Sequence, residues 1–330
     1  MVSGQSRLDR QRYLRSLSRL DQHPVRSLSM QNATILLTGS SGQVGFELQR
    51  SLSVLGRIEA PDRKTFDLGC PDSLRAILDQ IRPDIIVNPA AYTAVDKAET
   101  DIATAIAVNT TAPAVLAEWA AEHDALLVHF STDYVFDGGK TGCYVEHDSC
   151  NPLSVYGRSK LGGEAAISAS GCRQLIFRTS WVYGAHGNNF LKTMLRLMRE
   201  RDELRVVADQ FGAPTSAALL ADVTAQILGH YLREGRPELF PYGLYHLAAS
   251  GETSWHGYAH TINRLCKIHA YILQCMPDSI IPIPSSAYPL PAPRPSNSRL
   301  DTSKLRTTFG LQLPHWELGV TQVIALLTNR

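Results

Sequence analysis

The chain has 330 residues, 44% of them hydrophobic and 19% charged, with a formal net charge of +1. That balance belongs to a folded protein long enough for two lobes, and it excludes a disordered chain or one with a broad basic field for nucleic acid. No apolar run approaches the roughly 18 residues needed to span a bilayer, so no membrane partner is expected.

Residues 1–30 hold six Arg and two acidic residues, which leaves the remainder at −3. They read as a flexible basic extension: Arg- and Ser-rich like a transit peptide, but without the apolar stretch of a secretory signal. Met30 precedes the first strand, so residues 1–29 are expected to be dispensable. Strands and helices then alternate: strand 34–38, helix 43–54, strand 57–60, helix 71–81, strand 84–88, helix 101–122, strand 125–130, helix 156–169, strand 174–179 and helix 190–200. Such a rhythm means βαβ units, hence an α/β fold with a doubly wound parallel sheet. Strands 84–88 and 125–130 are apolar throughout, as when helices cover both faces. The proline-rich stretch after residue 280 is expected to be extended, either as a surface linker or as a loop presenting Arg294 to an anionic ligand. The cysteines at 70, 143, 150, 172, 266 and 275 form no CxxC pair, which points to reduced thiols in a cytoplasmic compartment.

Between the first strand and helix lies Gly39-Ser40-Ser41-Gly42-Gln43-Val44-Gly45. Glycines at 39 and 42 are expected to let the backbone turn sharply against an anion, and Gly45 to let the helix pack on the strand. A helix starting at Gln43 offers its positive end to a pyrophosphate. The spacing is GxxGxxG, a variant of the common dinucleotide fingerprint.

Ligands of a doubly wound sheet bind beyond the carboxyl ends of its strands. After strand 84–88 come Ala90, Ala91 and Thr93; after strand 125–130 come Ser131, Thr132, Asp133 and Tyr134. Tyr156 and Lys160, four residues apart on a helix, share one face. An adjacent ammonium is expected to lower the phenol's pKa and make Tyr156 a general acid for a carbonyl oxygen that receives a hydride. Just after the second strand, Asp62 suits a ribose hydroxyl, as in NAD sites, while Arg63 or Lys64 suits a 2′-phosphate, as in NADP sites.

The segments TGSSGQVGFELQRSL, VNPAAYTAVDKAE, HFSTDYVFDG, NPLSVYGRSKLGGE, IFRTSWVYGAHGNNF, DQFGAPTSAALLAD, GLYHLAASGETSWHGYA and PRPSNSRLDTSKL carry a resemblance. From about Ala33 to its end the chain resembles the extended short-chain dehydrogenase/reductases, and within them the dTDP-4-dehydrorhamnose reductase family. The resemblance implies a Rossmann domain over 31–178 with a return segment near 215–248, and a smaller substrate-binding lobe from 179–214 and 249–330. It implies reduction of the 4-keto group of a nucleotide sugar with NADPH, NADH being a second option. Thr132 would hydrogen-bond the reacting oxygen, Tyr156 would protonate it, and Lys160 would tune Tyr156 and hold the nicotinamide ribose. Gly39, Ser41, Gly42, Gln43, Val44, Gly45, Asp62, Arg63, Asp67, Leu68, Ala90, Ala91 and Thr93 would hold the cofactor. Tyr134 and Trp181 would line the sugar pocket, with Arg294 as a further substrate contact and Asn109 in support.

Some relatives carry Mg2+ at a dimer interface through a Glu matching Glu47 and a second acidic residue where this chain has Ala218. One carboxylate is a poor magnesium site, so Mg2+ is not favoured, and a homodimer stays open. A nucleotide-sugar dehydratase or epimerase is a rival reading, although Tyr134 stands where dehydratases place a Glu. The other rival is a noncatalytic NADP-binding regulatory subunit.

Overall fold

The alternating apolar runs become nine successive elements in the first half of the computed structural model, which describes residues 33–234 and 237–328. They are β1 (Thr34–Leu37), α1 (Gln43–Leu52), β2 (Arg57–Glu59), α2 (Leu74–Ile81), β3 (Ile85–Asn88), α3 (Ala112–Glu122), β4 (Leu126–Thr132), α4 (Val155–Ala169) and β5 (Arg173–Thr179). There follow α5 (Phe190–Glu200), β6 (Leu204–Val207), α6 (Ala217–Glu234), β7 (Gly243–His246), α7 (Trp255–Ile268), β8 (Ile280–Ile283) and α8 (Trp316–Thr328). The basic extension, and with it the expectation for residues 1–29, lies outside the described residues.

Six strands form a parallel sheet in the order β7-β5-β4-β3-β1-β2. Successive side chains of a strand point to opposite faces, and β1 divides its residues accordingly. Ile35 and Leu37 pack with Leu48 and Leu52 of α1 and Leu220 and Ile227 of α6. Leu36 joins Leu74 and Leu78 of α2 and Leu116 of α3 on the other side. Chain order reverses between β1 and β3, and the crevice beyond their carboxyl ends is where such sheets take ligands.

A second apolar cluster joins Leu191, Met194 and Met198 of α5, Tyr258 and Ile262 of α7, and Val320 and Ile324 of α8. The proline-rich segment enters it as β8, pairing in parallel with β6 so that Pro282 faces Val206. Extended backbone was the expectation; the missing proline N–H is tolerated because the two-stranded ribbon has free edges.

The uninterrupted helix expected over 101–122 is instead an α-helical turn at Ile102–Ile106, a π-helical turn at Ala107–Thr111, and α3. Pro113 is the cause. It donates no hydrogen bond to the Asn109 carbonyl and its ring crowds that oxygen, which opens the turn. Gly163 of α4 passes so close there that a Cβ would lie 2.2 Å from Asn109 O. The Asn109 side chain bonds both backbone groups of Tyr92 and the hydroxyl of Ser159, at 2.8–3.1 Å, and so ties the loop after β3 to α4.

Candidate active site

Gly39 turns at φ +54, and a Cβ there would meet the Cβ of Ala90 at 2.8 Å. A Cβ on Gly45 would lie 2.1 Å from Gly39 O, so α1 can start this close to the turn only with glycine at 45. Gly42 differs from expectation: its φ of −79 is one that any residue adopts, and it serves as the N-cap of α1. It makes no side-chain cap, so the first-turn amides stay open to an anion. A cavity of about 420 Å³ runs from this turn past Ser41, Gln43, Val44, Ala91 and Thr93 to Tyr156 and Lys160. A neighbouring cavity of about 210 Å³ is bounded by Asp62, Arg63, Asp67, Leu68 and Ala90. A glycine cradle, an uncapped helix start and two adjoining cavities suit a dinucleotide. A roomier groove of about 570 Å³ between α1, α6 and residues 308–311 lies away from these groups.

One oxygen of Asp62 is engaged within its own loop. Its Oδ1 accepts from the backbone N and the hydroxyl of Thr65, both at 2.9 Å, and these bonds lower the carboxyl's pKa. Arg63 is exposed and only loosely paired with Asp67 at 3.5 Å. Asp67 also accepts from Gly69 N at 2.9 Å.

β4 ends at Thr132, which pairs in register with Thr179 of β5. The Thr132 hydroxyl accepts from Tyr134 N at 3.2 Å and reaches Asp133 Oδ1 at 3.1 Å. Ser154 caps α4 by accepting from Gly157 N at 3.1 Å. A Cβ on Gly157 would meet Tyr134 O at 2.2 Å, so α4 is seated on the turn after β4. Consequently Tyr134 and Tyr156 meet edge to face, 5.5 Å between centroids, and the Tyr156 phenol lies near enough to Thr132 for that hydroxyl to lower its pKa. The Tyr156 ring is half-buried and its hydroxyl end enclosed.

Burial pushes the Tyr156 phenol up to about 12, with Thr132 opposing the rise and the Asp133 charge adding to it. This corrects the expectation of a phenol lowered by an adjacent ammonium. The four-residue spacing puts both side chains on one face, but the lysine dives into the core: its Nζ lies 2.6 Å from Phe130 O and 3.0 Å from His129 Nε2. Asp133 is buried with no partner on Oδ2, and desolvation raises its pKa to about 6, Ser298 and Thr132 opposing.

Arg294 faces Tyr134, whose pKa its charge lowers against a larger rise from burial. The cation is already balanced, because Nη2 meets Asp96 Oδ2 at 2.8 Å and Nη1 donates to Ala292 O at 3.1 Å. Trp181 sits at φ +49 and stacks on Trp255 at 3.6 Å, while Gly212 leaves room for its ring. Its neighbour Val182 lines the larger cavity. Glu47 is 3.8 Å from Arg50, which also pairs with Asp222 at 3.1 Å, and Asp209 is taken up by Ser285. Among the described residues no group of three or more His, Cys, Asp or Glu is placed to hold a metal ion. Sequence reasoning missed Asp96, Trp255 and the buried His129. The only signal for His129 was an imidazole inside an otherwise apolar strand.

The model of the RmlD substrate binding domain family matches residues 33–329. The dTDP-4-dehydrorhamnose reductase of Burkholderia thailandensis is 49% identical over 286 residues, 87% of this chain and 96% of that protein. The chain belongs to the dTDP-4-dehydrorhamnose reductase family. The family member from Escherichia coli K12 is 47% identical over 88% of this chain and 96% of its own length. Among solved structures, the Bacillus anthracis dTDP-4-dehydrorhamnose reductase in complex with NADP superposes with a TM-score of 0.81. It is 33% identical, with 90% of this chain and 100% of that one covered.

Proposed function

We propose that this protein reduces the 4-keto group of dTDP-4-dehydro-β-L-rhamnose to the hydroxyl of dTDP-β-L-rhamnose. NADPH is the preferred reductant and NADH a second one. The observation that carries this reading is the Thr132–Tyr156 pair at the end of a dinucleotide-shaped cavity, in a chain of this reductase family.

The nicotinamide cofactor supplies the hydride for C4 of the sugar. Thr132 holds the ketone oxygen, and Tyr156 gives its phenolic proton to that oxygen as the charge develops. The phenolate then recovers one proton from solvent, so each turnover takes up one hydride and one proton. Tyr134 and Trp181 enclose the sugar, and Arg294, its charge balanced by Asp96, offers the substrate guanidinium hydrogen bonds and no net charge. The turn from Gly39 to Gly45 would hold the cofactor pyrophosphate, and Asp67 and Leu68 would border its adenosine. The decisive assay follows nicotinamide absorbance with the purified protein. Loss of NADPH signal that depends on dTDP-4-dehydro-6-deoxy sugar supports the reductase. Cofactor binding without consumption would leave a regulatory subunit, and product formation without net consumption a dehydratase or epimerase.

Arg63→Ala is expected to weaken NADPH binding about tenfold and NADH binding much less, because the exposed guanidinium can leave Asp67 for a 2′-phosphate. Equal effects on both cofactors, measured by fluorescence titration, would remove Arg63 from the phosphate site.

Chelation of divalent ions is expected to leave turnover within about twofold, since Glu47 with Ala218 opposite offers one carboxylate to an ion that wants six oxygens. Loss of activity together with dissociation in sedimentation runs would instead indicate a metal-bridged homodimer. Unpaired cysteines suit a reducing compartment, and no helix among the described residues is long and apolar enough to cross a membrane. A cytoplasmic location fits the free thiols.

A further inference from the structure

Residues 184–189, between Tyr183 and the start of α5, run against the glycine turn, and neither the cradle nor the reacting pair explains how firmly they are held. His186 stacks on Phe46 of α1, 4.4 Å between centroids and 8° between planes, and its Nε2 lies 2.8 Å from Ser41 O. A carbonyl oxygen only accepts, so Nε2 carries the ring proton and donates it to the turn. Asn189 Nδ2 donates to Gln43 Oε1 at 2.9 Å and to Gly184 O at 2.8 Å, while its Oδ1 accepts from Lys192 N at 3.0 Å and caps α5. Gly187, at φ +72, comes so near α1 that a Cβ would stand 2.8 Å from Gln43 Cγ.

Lys192 Nζ donates to Gly187 O at 2.7 Å and to Ala185 O at 3.3 Å, which ties the segment to α5 as well as to α1. One side chain stands apart. Asn188 is exposed, borders the cavity of about 420 Å³ together with the glycine turn and Gln43, and hydrogen-bonds no described residue. A loop fastened through His186, Gly187 and Asn189 that keeps a free amide at a binding cavity is preorganised for a ligand, because little ordering entropy is left to lose.

The chemistry of that ligand follows from what lies opposite. The uncapped start of α1 offers amides to an anion from one side, and Gln43, the first residue of that helix, is the residue the segment touches. A pyrophosphate has acceptor oxygens all round, and those turned away from the glycine turn need donors of their own. The NH₂ of an asparagine supplies two. We infer that residues 184–189 are a strap over the cofactor pyrophosphate, with Asn188 as a further cofactor-binding residue and His186 as the positioning residue that latches the strap to the turn. The inference rests on the dinucleotide half of the proposed function and is independent of the reaction at the sugar.

The test measures binding by the full chain. Asn188→Ala is expected to weaken NADPH and NADH about fivefold each, because both carry the pyrophosphate, and Asn188→Asp about fiftyfold, because a carboxylate then faces the anion. Adenosine 2′-monophosphate, which has no pyrophosphate, should compete for every variant within about twofold of its wild-type affinity. His186→Ala is expected to speed NADPH release in stopped-flow fluorescence about tenfold, through loss of one hydrogen bond and one ring stack. His186→Gln, whose Nε2 can still donate to Ser41 O, should recover most of that loss. Wild-type cofactor affinity in Asn188→Asp would overturn the pyrophosphate contact, and unchanged release in His186→Ala would overturn the latch. An equal loss of adenosine 2′-monophosphate binding would also overturn the inference, since the strap would then merely support the fold. None of these readouts needs turnover, so a protein that binds NADPH through the strap yet consumes none sinks the reductase reading alone.

Discussion

Tyr156→Phe is expected to lower turnover by about two to four orders of magnitude while NADPH still binds. The phenol combines a place beside Thr132 with one on the cavity that runs from the glycine turn. Its upward shift to about 12 has a direction that matters. A reductase needs the protonated form, which a raised pKa preserves throughout the neutral range, and only the reverse oxidation would call for the phenolate. Phenylalanine keeps the ring that packs against Tyr134 and removes only the oxygen, so the fold and the cofactor cavity should persist. Single-turnover measurement of NADPH oxidation, alongside fluorescence titration of the cofactor, separates the two effects. A rate near that of the wild type would mean that another group, with Asp133 the nearest candidate, delivers the proton.

The sheet was legible because its signals are local. Apolar runs through 84–88 and 125–130 announced buried parallel strands, and three glycines in seven residues announced a backbone turned against a neighbour. What the sequence left hidden depends on atoms far apart in the chain. Nothing near Lys160 says that its nitrogen turns to His129 and Phe130 instead of the phenol four residues back; only the pairing of β4 beside α4 decides that. Likewise Arg294 read as a free cation until Asp96, almost two hundred residues earlier, closed on it. Asp62 is the opposite case. The turn that engages its Oδ1 through Thr65 is written within three residues. Helix 101–122 was also misread locally, since Pro113 alone foretold the break.

Gly45→Ala is expected to weaken cofactor binding by about a hundredfold or more and to destabilise the fold by a few kcal/mol. The new methyl would stand 2.1 Å from Gly39 O, 2.7 Å from Gly39 C and 2.9 Å from Ser40 Cα, all of them main-chain neighbours with no rotamer to escape into. Overpacking of this kind costs about 1–3 kcal/mol and sometimes more. Relief can come only from moving the turn or tilting α1. The helix is pinned under the sheet by Leu48 and Leu52, both fully buried, so the turn yields and its amides leave the positions that face the anion. Gly42→Ala supplies the contrast. Its φ is ordinary and the nearest atom to the new methyl is Gly39 O at 3.2 Å, so a shift of a few tenths of an ångström suffices and affinity should fall only a few-fold. Titration of both variants with NADPH, with thermal unfolding in parallel, distinguishes a close backbone approach from a general need for glycine. Equal losses in the two would show that the contact between the start of α1 and the turn does not govern the site.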